Sequence, residues 1–241
     1  MKTFEPVLSI LSEAQQKIWP LLADMPDLGF TLYGGTALAL HLGHRSSVDF
    51  DFFSNRPLDK ILLRQAIPMF ADAKVLQDQS NTLTVIVDGG VKISLFGGMK
   101  LGRLRDPVLT HDYILEVASI EDILAMKLKV IFDRSEAKDY RDIARILARG
   151  YRLADGLGGA RALFGKAFQA SEALKALVYF GDGDLHTLPA STRELIEHAV
   201  ATVGEIPTVY MFSKDVNESR PSHQRPTLHG SSLHTRESRS R

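Results

Sequence analysis

The chain has 241 residues, no cysteine, and 29 basic residues balanced by 29 acidic ones. The lack of cysteine excludes disulfides, thiolate zinc sites and thiol nucleophiles, and the balanced charge predicts no overall attraction to nucleic acids or anionic membranes. No apolar run approaches membrane-spanning length, and Glu5 and Glu13 interrupt the N-terminal stretch, which therefore does not resemble a signal peptide. We expect a cytoplasmic protein with no membrane segment, long enough for one large domain or two modest ones.

The first half of the chain is predicted to alternate between helices and strands. In chain order we expect an amphipathic helix over 4–23, a strand over 30–33, a helix from Thr36 to Gly43, a strand over 47–53, a helical segment over 58–71, two strands around the turn Asp88-Gly89-Gly90, and a strand near 113–117. Thr36 is the expected N-cap of the second helix. Residues 1–118 are thus predicted to form an α/β half.

From Ser119 onward the pattern becomes helical. The stretches "SIEDILAMKLKVIFDR" and "AKDYRDIARILARG" are predicted helices, and two or three more follow up to about Val203. We assign residues 119–205 to a helical half. Residues 213–241 have almost no large apolar side chains and are predicted to be disordered.

The segment "VDFDFF" places two carboxylates on one face of a predicted strand. With a period of two, Phe50 and Phe52 face one side, while Asp49 and Asp51 face the other. A half-buried edge strand with a wetted acidic side would explain this pattern without any function.

A glycine pair precedes this strand and supports a second interpretation. Gly34 and Gly35 lead into a helix at Thr36, where backbone amides could receive a triphosphate. Magnesium commonly takes one or two carboxylates together with phosphate oxygens, and Asp49 and Asp51 could supply them. Each motif alone is common; together they are consistent with a phosphate and metal site.

The first helix of the helical half carries a lysine on its apolar side. On a helical wheel at about 100° per residue, Lys127 lies among Ile123, Leu124 and Ile131, whereas Lys129 faces the opposite way. A lysine in that position has to pair with an anion or lose its charge.

The next predicted helix carries Asp139 at the edge of its apolar side. Its solvent face is predicted to consist of Lys138, Arg141, Asp142 and Arg145. A buried Lys127–Asp139 ion pair that joins the two helices and a functional role for Lys127 remain equally open from this spacing.

The segment "GGTALALHLGHRSSVDFDFF" resembles the first signature of the AbiEii/AbiGii toxin family of nucleotidyltransferases, within the DNA polymerase β-like superfamily. The matching residues are Gly34, Gly35, Arg45, Ser47, Asp49 and Asp51. The resemblance implies an α+β fold, in which a mixed sheet with helices is followed by a helical C-terminal half. It also implies that Asp49 and Asp51 bind Mg²⁺, and that Gly34, Gly35, Thr36, Arg45 and Ser47 bind the nucleoside triphosphate.

A second family signature matches Lys127, Arg134, Lys138, Asp139 and Asp142. By this resemblance Lys127 and Arg134 contact the nucleotide phosphates, and Asp139 supports the catalytic site. Asp142 receives no role because it is predicted to face solvent. Polymerase β-like enzymes usually add a third carboxylate from a later strand, but Ser94 stands at that place in "VKISLF". Asp88 and Asp139 are candidate substitutes.

The resemblance implies transfer of a nucleoside monophosphate to an acceptor hydroxyl, with tRNA as the acceptor. The protein would be the toxin of a toxin–antitoxin pair whose antitoxin is a separate chain. Two alternatives remain open, namely a non-catalytic binding or regulatory protein that kept the pocket, and transfer onto a protein hydroxyl. The sequence does not identify the base of the nucleotide.

Overall fold

The computed structural model describes residues 2–217. The strands are β1 (Thr3–Phe4), β2 (Thr31–Tyr33), β3 (Asp49–Phe53), β4 (Lys74–Gln79), β5 (Thr82–Val87), β6 (Val91–Phe96), β7 (Val108–Thr110) and β8 (Glu116–Val117). The helices are α1 (Glu13–Ile18), α2 (Gly34–Leu42), α3 (Lys60–Ala66), α4 (Ile120–Val130), α5 (Ala137–Ala148), α6 (Leu153–Phe164), α7 (Ala170–Leu177) and α8 (Ala190–Ala201). The predicted mixed sheet followed by helices is confirmed.

All the strands join one sheet in the order β1-β7-β8-β2-β3-β6-β5-β4. Strand β3 lies in its middle, antiparallel to β2 and parallel to β6. The β5–β6 hairpin around residues 88–90 is present, as predicted. The sheet thus places β3 and β6 side by side, and α2, which directly follows β2, packs against β3.

Two local predictions in the first half are wrong. Residues 4–23 do not form one helix, because Phe4 belongs to β1, and α1 is followed by a 3₁₀ turn at Trp19–Leu22. Thr36 is not an N-cap, since α2 already begins at Gly34 and Tyr33 takes the N-cap position. Gly43 does end this helix, in the left-handed conformation that favours glycine.

Helices α4 and α5 connect the helical half to the sheet. Helix α4 packs against α2, α5 and α6, and α5 packs against α2, α4 and α8. Because α5 has neighbours on three sides, far less of its surface meets solvent than an amphipathic pattern suggests. No helix among residues 2–217 is long and apolar enough to cross a membrane.

The start of the predicted disordered tail is packed against the fold. Arg103 is 1% exposed, and its guanidinium donates a hydrogen bond to the carbonyl oxygen of Asp215 at 3.0 Å. Val216 is buried, and the side chain of Asn217 bonds to the backbone of Gly29 and Asn55. The boundary of that prediction is therefore corrected for 213–217, and residues 218–241 lie outside the described part of the chain.

Candidate active site

Strand β3 carries two carboxylates on the face opposite the core. Phe50 and Phe52 are fully buried, whereas Asp49 and Asp51 are both partly exposed. This alternation agrees with the predicted one. One residue, Phe50, separates the two acids along the strand, so their side chains share one face of the sheet.

Strand β6 adds a lysine and a serine to the same face. The parallel register pairs Asp49 with Lys92 and Asp51 with Ser94. Lys92 Nζ lies 2.8 Å from Asp49 Oδ2, and the Ser94 hydroxyl donates a hydrogen bond to the Asp51 carboxylate. The position expected for a third carboxylate thus holds a hydroxyl, with a cation two residues before it.

The carboxyl group of Asp51 is costly to ionise in the folded protein. Burial raises its pKa above the ordinary value, and the neighbouring charge of Asp49 raises it further. Lys92, the Ser94 hydrogen bond and Lys127 act in the opposite direction without cancelling the increase. A cation bound between the two carboxylates would relieve this cost.

The glycine pair lies close to Asp51, Arg45 and Ser47. Gly34 has a φ of +76°, and a Cβ at this position would lie 2.8 Å from Asp51 Oδ2. A Cβ on Gly35 would lie 2.6 Å from Arg45 Nη2 and 3.1 Å from Ser47 Oγ. Any larger residue at either position would therefore displace a side chain of the candidate site.

Thr36 lies behind this surface. Its side chain is 1% exposed, and its hydroxyl donates a hydrogen bond to the backbone carbonyl oxygen of Asp49. The hydroxyl is thus engaged in joining α2 to β3. Only the backbone amide of Thr36, in the first turn of α2, is left to meet a phosphate.

The helical half contributes a buried cluster of charges. Lys127 is 5% exposed, and its ammonium lies 2.5 Å from Asp139 Oδ1 and 2.7 Å from Asp142 Oδ2. Arg134 donates to Asp139 as well, with Nε 2.9 Å from Oδ2. The ion pair that the sequence left open is therefore present, and it contains a second carboxylate.

The predicted solvent position of Asp142 is wrong. Its side chain is fully buried because α2 and its C-terminal loop cover that side of α5. Arg45 Nε and Nη2 donate to its two oxygens at 2.7 and 2.8 Å, and His44 Nε2 lies 2.8 Å from Oδ1. Burial favours the neutral acid, but these hydrogen bonds and the charge of Lys127 hold the pKa of Asp142 well below its usual range.

The pKa of Asp139 is also lowered. Burial acts against ionisation here too, and the charges and hydrogen bonds of Lys127 and Arg134 outweigh it. Both arginines keep a link to solvent, since the side chain of Arg45 is 22% exposed and that of Arg134 is 44% exposed. The cluster thus offers an incoming anion two partly accessible guanidinium groups.

The strand carboxylates and the helical cluster act on each other. The charges of Lys127 and Arg134 are both felt at Asp51. Together the two groups contain as many cations as carboxylates, namely Lys92, Lys127, Arg45 and Arg134 against Asp49, Asp51, Asp139 and Asp142. The structure therefore brings the predicted residues Gly34, Gly35, Thr36, Arg45, Ser47, Asp49, Asp51, Lys127, Arg134 and Asp139 to one region, whereas Asp88 lies exposed in the β5–β6 turn.

The donor atoms near β3 suit a hard divalent cation. Two carboxylates and the Ser94 hydroxyl are oxygen ligands of the kind that Mg²⁺ takes, with phosphate oxygens and water completing its shell. Among residues 2–217, no cluster of three or more acidic or histidine side chains is arranged to hold a metal. Asp49 and Asp51 would therefore supply part of the ligand shell, and phosphate oxygens or water would supply the rest.

Sequence reasoning missed Lys92 and wrongly placed Asp142 on the solvent face of α5. Lys92 could have been found, because the alternation of "VKISLF" places it on the same face as Ser94. His44 and Asp142 carry no such local signal, since their contact joins a loop and a helix 98 residues apart.

The sequence of the chain matches a known family of proteins. A sequence model of the family described as nucleotidyl transferase AbiEii toxin, type IV toxin–antitoxin system, matches residues 22–202. An uncharacterized protein of Aquifex aeolicus (strain VF5) is 32% identical over 159 residues, which cover 64% of this chain and 74% of that protein.

Two solved structures resemble the chain more distantly. MenT4, a nucleotidyltransferase toxin from Mycobacterium tuberculosis H37Rv, has a TM-score of 0.48 and 14% identity and covers 76% of this chain and 90% of its own. The Thermotoga maritima CCA-adding enzyme complexed with tRNA has a TM-score of 0.33 and 16% identity, covering 74% of this chain and 57% of its own. The family assignment rests on the sequence match, which runs from the first residues before β2 to the end of α8: this chain belongs to the AbiEii family of nucleotidyl transferase toxins.

Proposed function

We propose that the chain transfers a nucleoside monophosphate from a nucleoside triphosphate to a hydroxyl of tRNA, as the cytoplasmic toxin of a pair whose antitoxin is a separate protein. The observation that carries this proposal is the placement of Asp49 and Asp51 on one face of β3, where Asp51 lies beside Gly34 and within the field of Lys127 and Arg134.

Asp49 and Asp51 would hold Mg²⁺ in this proposal. When bound, the ion neutralises charge on the phosphates and on the departing pyrophosphate. The chain itself supplies the rest of the binding surface. The amides of Gly35 and Thr36, at the start of α2, would receive phosphate oxygens, as helix N-termini commonly do.

The arginines are the groups best placed to bind the triphosphate tail. Arg45 and Arg134 each donate to a buried carboxylate, and each side chain is partly exposed. Nη1 of Arg45 also donates to the carbonyl oxygen of Ser46. Lys127 is enclosed by Asp139 and Asp142, so in this proposal it acts on the phosphates through its field, unless a ligand draws it away from one of them. Asp139 and Asp142 thereby position all three cations.

The reaction would be a single displacement at the α-phosphorus. The bond between the acceptor oxygen and the α-phosphorus forms, the bond to pyrophosphate breaks, and the hydroxyl proton passes to solvent. Orientation of the two reactants and neutralisation of charge would supply most of the acceleration, as in other phosphoryl transfers. We propose tRNA as acceptor from the family resemblance, and a protein hydroxyl would use the same residues.

The test is a labelling experiment with each of the four nucleoside triphosphates, carrying the label on the α-phosphate. The protein is incubated with Mg²⁺ and total RNA, and the fractions are separated by size. We expect label in the tRNA fraction with one or more nucleotides, and none when the label is on the γ-phosphate.

Asp49→Asn is the control variant, because it removes a proposed metal ligand and keeps the size of the side chain. We expect its rate to be at least about a thousandfold lower, given that metal stabilisation of such a reaction is worth several kcal/mol. Equal labelling by wild type and Asp49→Asn would refute the proposed site. Label in protein rather than RNA would change the acceptor and leave the site unchanged.

A further inference from the structure

The face of the sheet that carries Asp49 and Asp51 also carries a lysine, Lys92, from the adjacent strand β6. Strand β6 pairs Lys92 with Asp49 and Ser94 with Asp51, at the place where polymerase β-like enzymes usually carry their third carboxylate. A site for two dications needs carboxylates that bridge them, and among residues 2–217 no third acidic or histidine side chain joins these two.

Lys92 already neutralises one of the two carboxylates. Its ammonium lies 2.8 Å from Asp49 Oδ2, and its side chain is 39% exposed, so it reaches the acid from the solvent side of the sheet. Its charge also acts on Asp51. Lys92 thus contacts one acid of this face and acts on the other, whereas the Lys60–Asp78 pair joins α3 to β4.

We propose that Lys92 takes the place of one of the two metal ions, so that the site holds a single divalent cation per bound nucleotide. This inference rests on the proposed function and deepens it. Two like charges a few ångströms apart repel strongly at a partly desolvated site, so a second dication beside the ammonium would be disfavoured. Lys92 is a fixed cation in the same position, attached to the strand next to the metal ligands.

An incidental surface ion pair is the alternative explanation. Such a pair would leave the affinity of the acids for metal nearly unchanged when the lysine is removed, because an exposed pair contributes little. A lysine that competes for Asp49 would behave differently. Its removal would free the carboxylate and raise the metal affinity.

The first arm of the test uses Mn²⁺ alone, titrated by electron paramagnetic resonance into the nucleotide-free protein. We expect Lys92→Met to bind Mn²⁺ on the order of tenfold more tightly than wild type, because the substitution frees the Asp49 carboxylate and removes a positive charge beside the cation. Lys60→Met is the matched control and should match wild type, since Asp78 is its acidic partner. Asp49→Asn should abolish the difference that Lys92→Met makes.

The second arm counts Mn²⁺ ions bound in the presence of an α,β-methylene triphosphate that cannot react. We expect one ion per analogue in wild type, and two in Lys92→Glu, which places a third carboxylate on this face. Two ions per analogue in wild type would overturn the proposal, and so would equal Mn²⁺ affinity in wild type and Lys92→Met. Failure of every analogue to bind wild type would instead refute the nucleotide function, and the first arm would then decide the role of Lys92 by itself.

Discussion

The strand acids and the helical cluster are built from the same kinds of side chain but differ in how they are satisfied. Asp142 is buried and accepts hydrogen bonds from Arg45 and His44 beside Lys127, and its pKa is lowered. Asp51 is partly exposed, and its burial together with the charge of Asp49 raises its pKa. The helical cluster is therefore complete without a ligand, whereas the strand pair gains from a bound cation. The difference indicates that the helical cluster holds the site together, whereas the strand acids are the groups that bind metal.

The strongest way to disrupt the complete cluster is to remove its central acid. Asp142→Ala leaves Arg45, His44 and Lys127 facing a gap, and we expect the free energy of unfolding to fall by about 3–5 kcal/mol. Asp133→Ala is the control, because Asp133 is exposed and, among residues 2–217, pairs only with Lys129, and it should change stability by less than about 0.5 kcal/mol. Urea unfolding measures the free energy of unfolding of both variants. Similar losses in the two would contradict the view that the buried cluster stabilises the fold.

Removing the lysine of the cluster should have the next largest effect. Lys127→Met keeps the apolar stem but leaves two buried carboxylates short of a cation, so we expect destabilisation by about 3 kcal/mol. The double variant Lys127→Met, Asp139→Leu removes one charge of each sign and should recover more than half of that loss. Thermal unfolding measures the stability of each variant. An unchanged stability of Lys127→Met would show that the ammonium does not hold the two helices together.

The stability of a Gly34→Ala variant tests how closely the backbone at Gly34 packs against the Asp51 carboxylate. Gly34→Ala places a Cβ at positive φ and 2.8 Å from Asp51 Oδ2. Gly150→Ala, at a φ of +91° with open space around it, carries the backbone strain alone, which is about 1–2 kcal/mol. Calorimetry should find the larger loss in Gly34→Ala. Equal losses in both variants would mean that the Asp51 contact adds nothing.

The smallest effect is expected at Asp51 itself, and it should depend on pH. Because its folded-state pKa is raised, the ionised form opposes folding, so Asp51→Asn should be slightly more stable than wild type near pH 7. This advantage should disappear below about pH 4, where Asp51 is protonated in the folded and unfolded states alike. Asp139 and Asp142 act oppositely, since their lowered pKa values stabilise the fold above about pH 4 and that contribution is lost as the pH falls further.

Local sequence patterns predicted the core of the candidate site well. The alternation around Asp49 and Asp51, the strand–glycine–helix order at Gly34, and the apolar setting of Lys127 all depend on neighbours within a few residues. These features are set by the period of the strand or helix, which the sequence carries directly.

Features that depend on distant partners were missed. Asp142 looked solvent-facing because the second and third neighbours of α5 come from α2 and α8, far away in the chain. Strand β4 was not predicted because all six of its residues are exposed at the sheet edge and show no alternation of burial. Tertiary packing, rather than local propensity, decides both cases.

The packing of Arg103 on the C-terminal segment has a consequence for how the protein is made. The guanidinium of Arg103, almost wholly buried, meets the carbonyl of Asp215, which lies 112 residues later in the chain. During synthesis, Arg103 leaves the ribosome long before this partner exists. We therefore expect a nascent chain to hold its α/β half incompletely closed until residues 213–217 have emerged, so that the final packing step follows translation of nearly the whole described chain.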